Sequence, residues 1–270
     1  MNAATSMLNK SIERMTTGYK INHAADNAAG YSIATTWKTQ LGSLDVASDN
    51  ASTGADMLTT LEDTYSLITS HLQRVRDLTE QAANGTYGSD SLKAIASEIT
   101  ARLEEIDRIS ANCEFNGLKM MDGSLTDDIN LQVGLYSDAA SRIALDASLF
   151  QNGHVSALFK TFGGVGGATV AEVAKLCSGY DGKQITGGQN EMLNKIDAVI
   201  SEISARTTTL GAAQNRIESA VESINVQSEN ITSSLSTLRD ADVAEESSNY
   251  IKAQILQQAS ATLLATANQT

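Results

Sequence analysis

The sequence predicts a mainly α protein: an elongated, coiled-coil-like antiparallel helical bundle with a small β-hairpin region and a short variable insertion. Three observations predict it. The 270 residues include no proline, the residue that interrupts helices by removing a backbone donor and clashing with the preceding turn. Aromatic side chains make up 4% of the chain against 41% hydrophobic residues, so the core must be a narrow aliphatic seam. Finally, apolar or small residues recur at alternating steps of three and four along two long stretches, the spacing of helices that pack along one face.

The first seam runs through Leu44, Ala47, Ala51, Gly54, Leu58, Leu61, Tyr65, Ile68, Leu72, Val75, Thr79 and Ala82. Its small residues come first, where two helices can approach closely, and its larger ones second. The stretch "ANGTYGSD", residues 83–90, supplies a stop and a new N-cap. A second helix is expected to about Ser110, with Leu92, Ile95, Ile99, Leu103, Ile106 and Ile109 on one face. Beyond it, Asn-Gly and Asp-Gly pairs between short alternating runs predict hairpins at about 113–138. Residues 139–189 read as a small glycine-rich outer insertion in which "TVAEVAKL" can form one short helix.

From about Asn190 the helical spacing returns through Leu193, Ile196, Ile200, Ile203, Thr207, Leu210, Gln214, Ile217, Val221, Ile224, Ser228, Ile231, Leu235 and Leu238. Polar Thr207, Gln214 and Ser228 in the seam cost stability but can fix register. A last helix carries Ile251, Ile255, Leu256, Ala259, Leu263 and Leu264. The helical core is therefore expected from 1–138 and 190–270, with the two ends of the chain paired and the insertion between them.

Composition excludes several functions. A net charge of −13 argues against nucleic acid and anionic membranes, which need clustered Lys and Arg. No run of apolar residues is long enough to span a bilayer, and "MNAATSMLNKSIERM" is not a signal peptide. Cys113 and Cys177 fit no metal spacing, and either a disulfide or two free thiols suits them. His23, His71 and His154 are isolated, and HExxH, CxxC, GxSxG and P-loop motifs are missing. "GGVGGA" lacks the lysine and the strand of a phosphate cradle. "TLEDTY" and "RLEEIDR" read as solvated helix faces before they read as cation sites. No cofactor or metal and no enzymatic activity is expected.

One short stretch stands out. "LQRVRDLTEQ" (72–81) puts two arginines into an acidic chain. Leu72 and Val75 belong to the seam, and Gln73, Arg74, Arg76, Asp77 and Leu78 lie off it. Arg76 with Glu80 (i, i+4) and Arg74 with Asp77 (i, i+3) can pair locally.

The motifs also carry a resemblance. "SIERMTTGYKINHAADNAAGYSIA" (11–34), "LQRVRDLTEQAANGT" (72–86), "EITARLEEIDRIS" (98–110), "EFNGLKMMDG" (114–123) and "INLQVG" (129–134) resemble, in order and spacing, the N-terminal signatures of bacterial flagellins. "LGAAQNRIESA" (210–220), "IKAQILQQA" (251–259) and "LLATANQ" (263–269) are similar to the C-terminal ones. The resemblance covers residues 8–138 and 190–270. Departures are mild: Asp77 stands where Glu is usual, Ala25 and Asn27 replace charged residues, and Thr16-Thr17 replaces a serine pair. Flagellins extend further on both sides of these motifs, which implies a trimmed chain, or a natural short form, lacking terminal polymerisation segments.

The resemblance implies a self-assembling structural subunit of the flagellar filament, extracellular and exported through the flagellar secretion apparatus. It implies as partners other flagellin subunits, an export chaperone and the Toll-like flagellin receptor of a host. Carried over by motif, Gln73, Arg74, Arg76, Asp77, Leu78 and Glu98 form the receptor or subunit contact, with Arg74 and Leu78 sharing a helix face at i, i+4. Ile231, Leu235, Leu238, Ile251, Ile255 and Leu263 lie in the chaperone-docking segment. Two alternatives stand beside this reading: a hook–filament junction protein related to flagellin, and a coiled-coil adhesin or receptor ligand unrelated to motility.

Overall fold

The computed structural model describes residues 2–160, 169–182 and 188–267. The chain runs α1 (Asn2–Thr17), α2 (Ala28–Ala83), α3 (Ser89–Asn112), β1 (Glu114–Phe115), β2 (Leu118–Lys119), β3 (Ile129–Gln132), β4 (Arg142–Leu145), α4 (Val155–Lys160), α5 (Val170–Ser178), α6 (Gln189–Arg239) and α7 (Val243–Ala267). Single 3-10 turns precede and follow β4, at Ala139–Ser141 and Ala147–Phe150. The fold is mainly α with two small antiparallel hairpins, as the spacing predicts. Contacts divide it into two compact units, Met1–Ala47 with Glu222–Thr270, and Ser48–Val221. The bounds between them fall within α2 and α6.

In the first unit α1 packs on α7. Gly18, at φ 74°, ends α1 with its N–H on the Arg14 carbonyl at 2.8 Å, the left-handed cap that suits glycine. Asn27 caps α2 by accepting from Gly30 N at 2.9 Å. Asp242 does the same for α7, accepting from Ala244 N and Glu245 N. The link after α1 is stitched to the α6–α7 turn. Lys20 N donates to Arg239 O at 2.7 Å, Ala241 N to Gly18 O at 2.8 Å, and the Arg239 guanidinium lies 4.2 Å from the centre of the Tyr19 ring.

The second unit is built on the seam of α2 from Ala51 onward, the first two seam positions, Leu44 and Ala47, belonging to the first unit. All twelve seam positions from Leu44 to Ala82 named above are buried. Met57 and Leu78 are buried too, at 5% and 2% exposure, which widens the two-helix strip to a face that serves more than one neighbour. Arg76 meets Asp197 and Glu62 meets Gln214, so α2 and α6 run antiparallel. Thr64 meets Cys113 and Arg74 meets Glu98, so α3 runs antiparallel to α2 as well. The N-cap of α3 is Gly88, whose backbone is extended and which makes no side-chain cap bond. On α3 the buried column ends at Ser110, with Ile109 only half-buried.

On α6 the buried column is Met192, Ile196, Val199, Ile203, Leu210, Ala213, Ile217 and Ile224. Leu193 and Ile200 sit half-buried on its flank. The sequence offers adjacent apolar pairs at 192–193 and 199–200, and packing takes the first of each. Gln214 is not in the buried column; its Nε2 donates to Glu62 Oε2 at 2.9 Å.

β1 and β2 join through Asn116 and Gly117 at φ 49° and 82°, the doubly left-handed turn that matches strand twist. β3 pairs with β4 in the register Ile129↔Leu145 to Gln132↔Arg142. The second hairpin therefore reaches past residue 138, where the sequence placed the edge of the hairpin region. Tyr65, buried on α2, donates to Leu149 O at 2.8 Å, and Asp107 accepts from Val155 N at 2.7 Å to start α4. "TVAEVAKL" does form a helix, α5, opened by a Thr169–Glu172 capping box and closed by Gly179 at φ 63°. α5 packs on α3. Cys113 and Cys177 are both buried and free. The glycine-rich runs at 163–168 and 183–187 lie outside the described residues.

The exposed faces of the long helices are rich in Ser and Thr whose hydroxyls donate to the carbonyl four residues earlier. Thr35, Thr39, Ser43, Thr53 and Thr59 do so on α2, and Ser204, Thr208, Ser219 and Ser234 on α6.

Candidate functional site

Two surfaces carry the residues singled out in the sequence. The first lies on α2 and α3 in the second unit. Arg74 Nε donates to Glu98 Oε1 at 2.9 Å, and Arg102 approaches the same oxygen at 3.8 Å. Arg76 points the other way. Its Nε reaches Asp197 Oδ1 on α6 at 2.6 Å, and Nη1 reaches Glu80 at 3.3 Å. The local Arg76–Glu80 pair thus forms. Arg74 turns across to Glu98 and leaves Asp77, because α3 offers a carboxylate on the side Arg74 faces. Gln73 lines a polar groove of about 450 Å³ with Glu62, Ser66, Thr69, Ser70, Ser204 and Thr207.

Leu78 departs from the expectation. It is buried at 2% exposure, so it does not present its side chain beside Arg74. The neighbouring Thr79 hydroxyl interacts with the Cys177 thiol of α5, which brings an insertion helix over this end of α2. Burial pushes the Cys177 thiol up to about 12. His71, close to Arg102 and Glu105 on α3, is shifted down by its burial, and its Nδ1 is buried without a partner.

The second surface lies on α1, α6 and α7 in the first unit. Small or polar groups fill the contact between α1 and α7: Ala4, Ser11, Ala253 and Glu246 are buried there. Short side chains let helix axes approach. Arg14 Nη1 donates to Glu246 Oε1 at 2.8 Å, with Glu246 only 6% exposed. The large apolar side chains are left outside. Met7, Ile12 and Met15 on α1 are exposed, as are Ile251, Ile255, Leu256, Leu263 and Leu264 on α7, with Leu263 at 69%. Ile231, Leu235 and Leu238 on α6 are half-buried. The sequence reading missed the α1 residues, because its seam began at Leu44; Met7, Ile12 and Met15 follow no strict heptad.

Beside this surface is a cleft of about 690 Å³ lined by Arg14, Lys20, Asp26, Trp37, Ser233 and Thr237 among others. Asp26 organises its rim. Lys10 Nζ lies 2.8 Å from Oδ1, and the backbone N–H groups of His23 and Asn22 donate to Oδ2. The Lys10 ammonium, the two amides and little opposing burial hold this carboxyl well below the usual carboxylate range. Among the described residues no group of His, Cys, Asp and Glu could hold a metal ion, and no helix is long and apolar enough to cross a membrane.

Residues of both surfaces fall in regions that match known proteins. The bacterial flagellin N-terminal helical region matches residues 1–126, and the C-terminal helical region matches 193–270. Flagellin of Bacillus subtilis is 33% identical over 287 aligned residues, covering 100% of this chain and 92% of that one. The chain belongs to the bacterial flagellin family. Crystalline Bacillus cereus flagellin has a similar fold, with a TM-score of 0.50 at 23% identity over 65% of this chain and 88% of that one. A flagellar hook-associated protein from Vibrio parahaemolyticus also shares the fold, with a TM-score of 0.66 at 12% identity over 80% and 100%. Fold alone is therefore common to filament and hook-associated proteins, and sequence places this chain with the flagellins. As a flagellin it is a structural component of the extracellular flagellar filament, in a family that is not enzymatic.

Proposed function

We propose that this flagellin subunit polymerises by covering the exposed apolar side chains of α1 and α7 with further copies of itself. The observation that carries the reading is the inverted packing of that helix pair, small groups inside and Met7, Ile12, Ile255, Leu256 and Leu263 outside. An amphipathic helix normally turns its large apolar residues inward, and a contiguous exposed patch marks a surface that another molecule covers. A filament supplies that cover by repeating one heterologous contact along a helical path. Before assembly the same stripe, with Ile231, Leu235, Leu238 and Ile251, is the surface for an export chaperone, and export runs through the flagellar secretion apparatus.

On the other surface, the Toll-like flagellin receptor of a host contacts Arg74 and Glu98, with Gln73, Arg76 and Asp77 around them. Leu78 supports that contact from beneath. The test of the assembly reading is seeded polymerisation followed by light scattering and electron microscopy, comparing the chain with Ile255→Glu and Leu263→Glu. Both variants should keep their helical circular dichroism and fail to elongate seeds. Normal elongation by either variant would remove the α7 face from the assembly contact.

A further inference from the structure

The chain contains three Asn-Gly pairs, at 84–85, 116–117 and 152–153, and their surroundings differ in a way that bears on covalent chemistry. We propose that Asn84 is a site of spontaneous deamidation and isomerisation in the folded protein. The reaction needs only water. The backbone nitrogen of the following residue attacks the Asn Cγ, a new N–C bond closes a five-membered imide, and the side-chain nitrogen leaves as ammonia, taking up the proton lost by the backbone amide. Water then opens the imide at either carbonyl, giving aspartate or isoaspartate. The attack requires a free backbone N–H, a side-chain amide that can rotate, and a following residue without a Cβ in the way.

Asn152 has none of this freedom. Its Nδ2 donates to Asp122 O at 3.3 Å, and its Oδ1 accepts from His154 N at 2.8 Å. Gly153 N donates to Met121 O at 3.0 Å. Gly153 is buried, and a Cβ there would lie 2.5 Å from Met121 Cε. Asn116 and Gly117 are exposed but occupy both corners of a two-residue turn whose arms are paired at Phe115↔Leu118. Asn84 directly follows the last residue of α2, and both it and Gly85 are exposed. A Cβ on Gly85 would meet nothing within 4 Å. The side chain of Asn84 has one weak anchor, accepting from Thr86 N at 3.4 Å. Nothing has to unfold for the imide to close, and sites in loops open at close to no free-energy cost. The product places a carboxylate just beyond the C-terminal end of α2, where the helix carbonyls already concentrate negative potential.

The full chain incubated at mildly alkaline pH and sampled by tryptic mass spectrometry tests this directly, because the pairs separate cleanly. Asn84 falls in the peptide 77–93 and Asn152 in the peptide 143–160. Peptide 77–93 should acquire the amide-to-acid mass gain at least about tenfold faster than peptide 143–160 in the folded chain, and the two rates should converge in concentrated urea. Gly85→Ala, which meets open space and a backbone φ outside the left-handed region, should slow the first peptide and leave the second unchanged. Equal folded-state rates, or a Gly85→Ala chain that reacts as fast as the parent, would overturn the assignment.

Discussion

Replacing Glu246 by alanine tests whether the α1–α7 pair is held by a charge where its apolar side chains do not hold it. Glu246 is 6% exposed and accepts from Arg14 Nη1 at 2.8 Å. The Nε of the same arginine is buried and has no partner. Removing one member of a buried ion pair costs about 3–5 kcal/mol, because the other charge is left without compensation. The Arg14 side chain keeps 27% of its exposure, so water recovers part of that, and about 2–3 kcal/mol is expected. At 1.36 kcal/mol per decade this is roughly a 30- to 150-fold loss of protection. The assay is native-state hydrogen exchange resolved by segment, since local opening is what the pair resists. Amides of α7 should lose protection while those of α3 keep theirs. Glu246→Gln, which retains an acceptor, should lose about 1 kcal/mol. Unchanged exchange in α7, or an equal loss in α3, would refute the reasoning.

Other outcomes follow from the same structure. Asp26 is shifted down in the folded chain, so its contribution to stability is present above the ordinary carboxylate value of 3.8 and lost as pH falls below it. The fluorescence of Trp37, the single tryptophan, which lines the same cleft, should report an acid transition that Asp26→Asn flattens. The Cys177 thiol, pushed up to about 12 by burial, should resist thiol reagents in the folded chain at neutral pH. Its contribution to stability should persist up to its unfolded value near 9 and fall as pH rises beyond, with titration of reactive thiol against urea as the check. Tyr65→Phe leaves the buried Leu149 carbonyl without its donor, and should lower the urea midpoint by an amount equal to about 1–3 kcal/mol. Arg74→Ala should weaken binding to purified receptor ectodomain by about 2 kcal/mol, and an unchanged affinity would remove Arg74 from that contact.

The parts of the fold legible in the sequence were those with local causes. The α2 seam is readable because each step of three or four places one side chain on one face, and every position from Leu44 to Ala82 is buried as spaced. The Asn116-Gly117 turn is readable because few residues other than Asn and Gly accept positive φ in succession. Where two neighbouring residues were equally apolar, as at Val199 and Ile200, spacing could not choose between them and packing did. The alternation of "RIAL" is visible in the sequence, but its register and the far edge of the hairpin come only from pairing with Ile129–Gln132. Leu78 was misplaced for a longer-range reason. It is buried at 2% exposure one step beyond the strip that spacing marks, and a heptad pattern does not announce how wide the buried face of a helix becomes when more than one neighbour packs on it. The resemblance named Arg74 and Glu98 as one surface, and their 2.9 Å contact brings them together.

The hydroxyl-lined flanks of α2 and α6 alter what a neighbouring molecule encounters. A threonine whose hydrogen is committed to the carbonyl one turn behind, as at Thr35, Thr39 and Thr53, shows its surroundings a methyl group and an oxygen that can only accept. A flank rich in such residues therefore offers acceptors and methyl groups but few free hydroxyl donors. A neighbour that hydrogen-bonds to such a flank must bring its own donors, because the flank's hydroxyl hydrogens are already committed to the helix behind them.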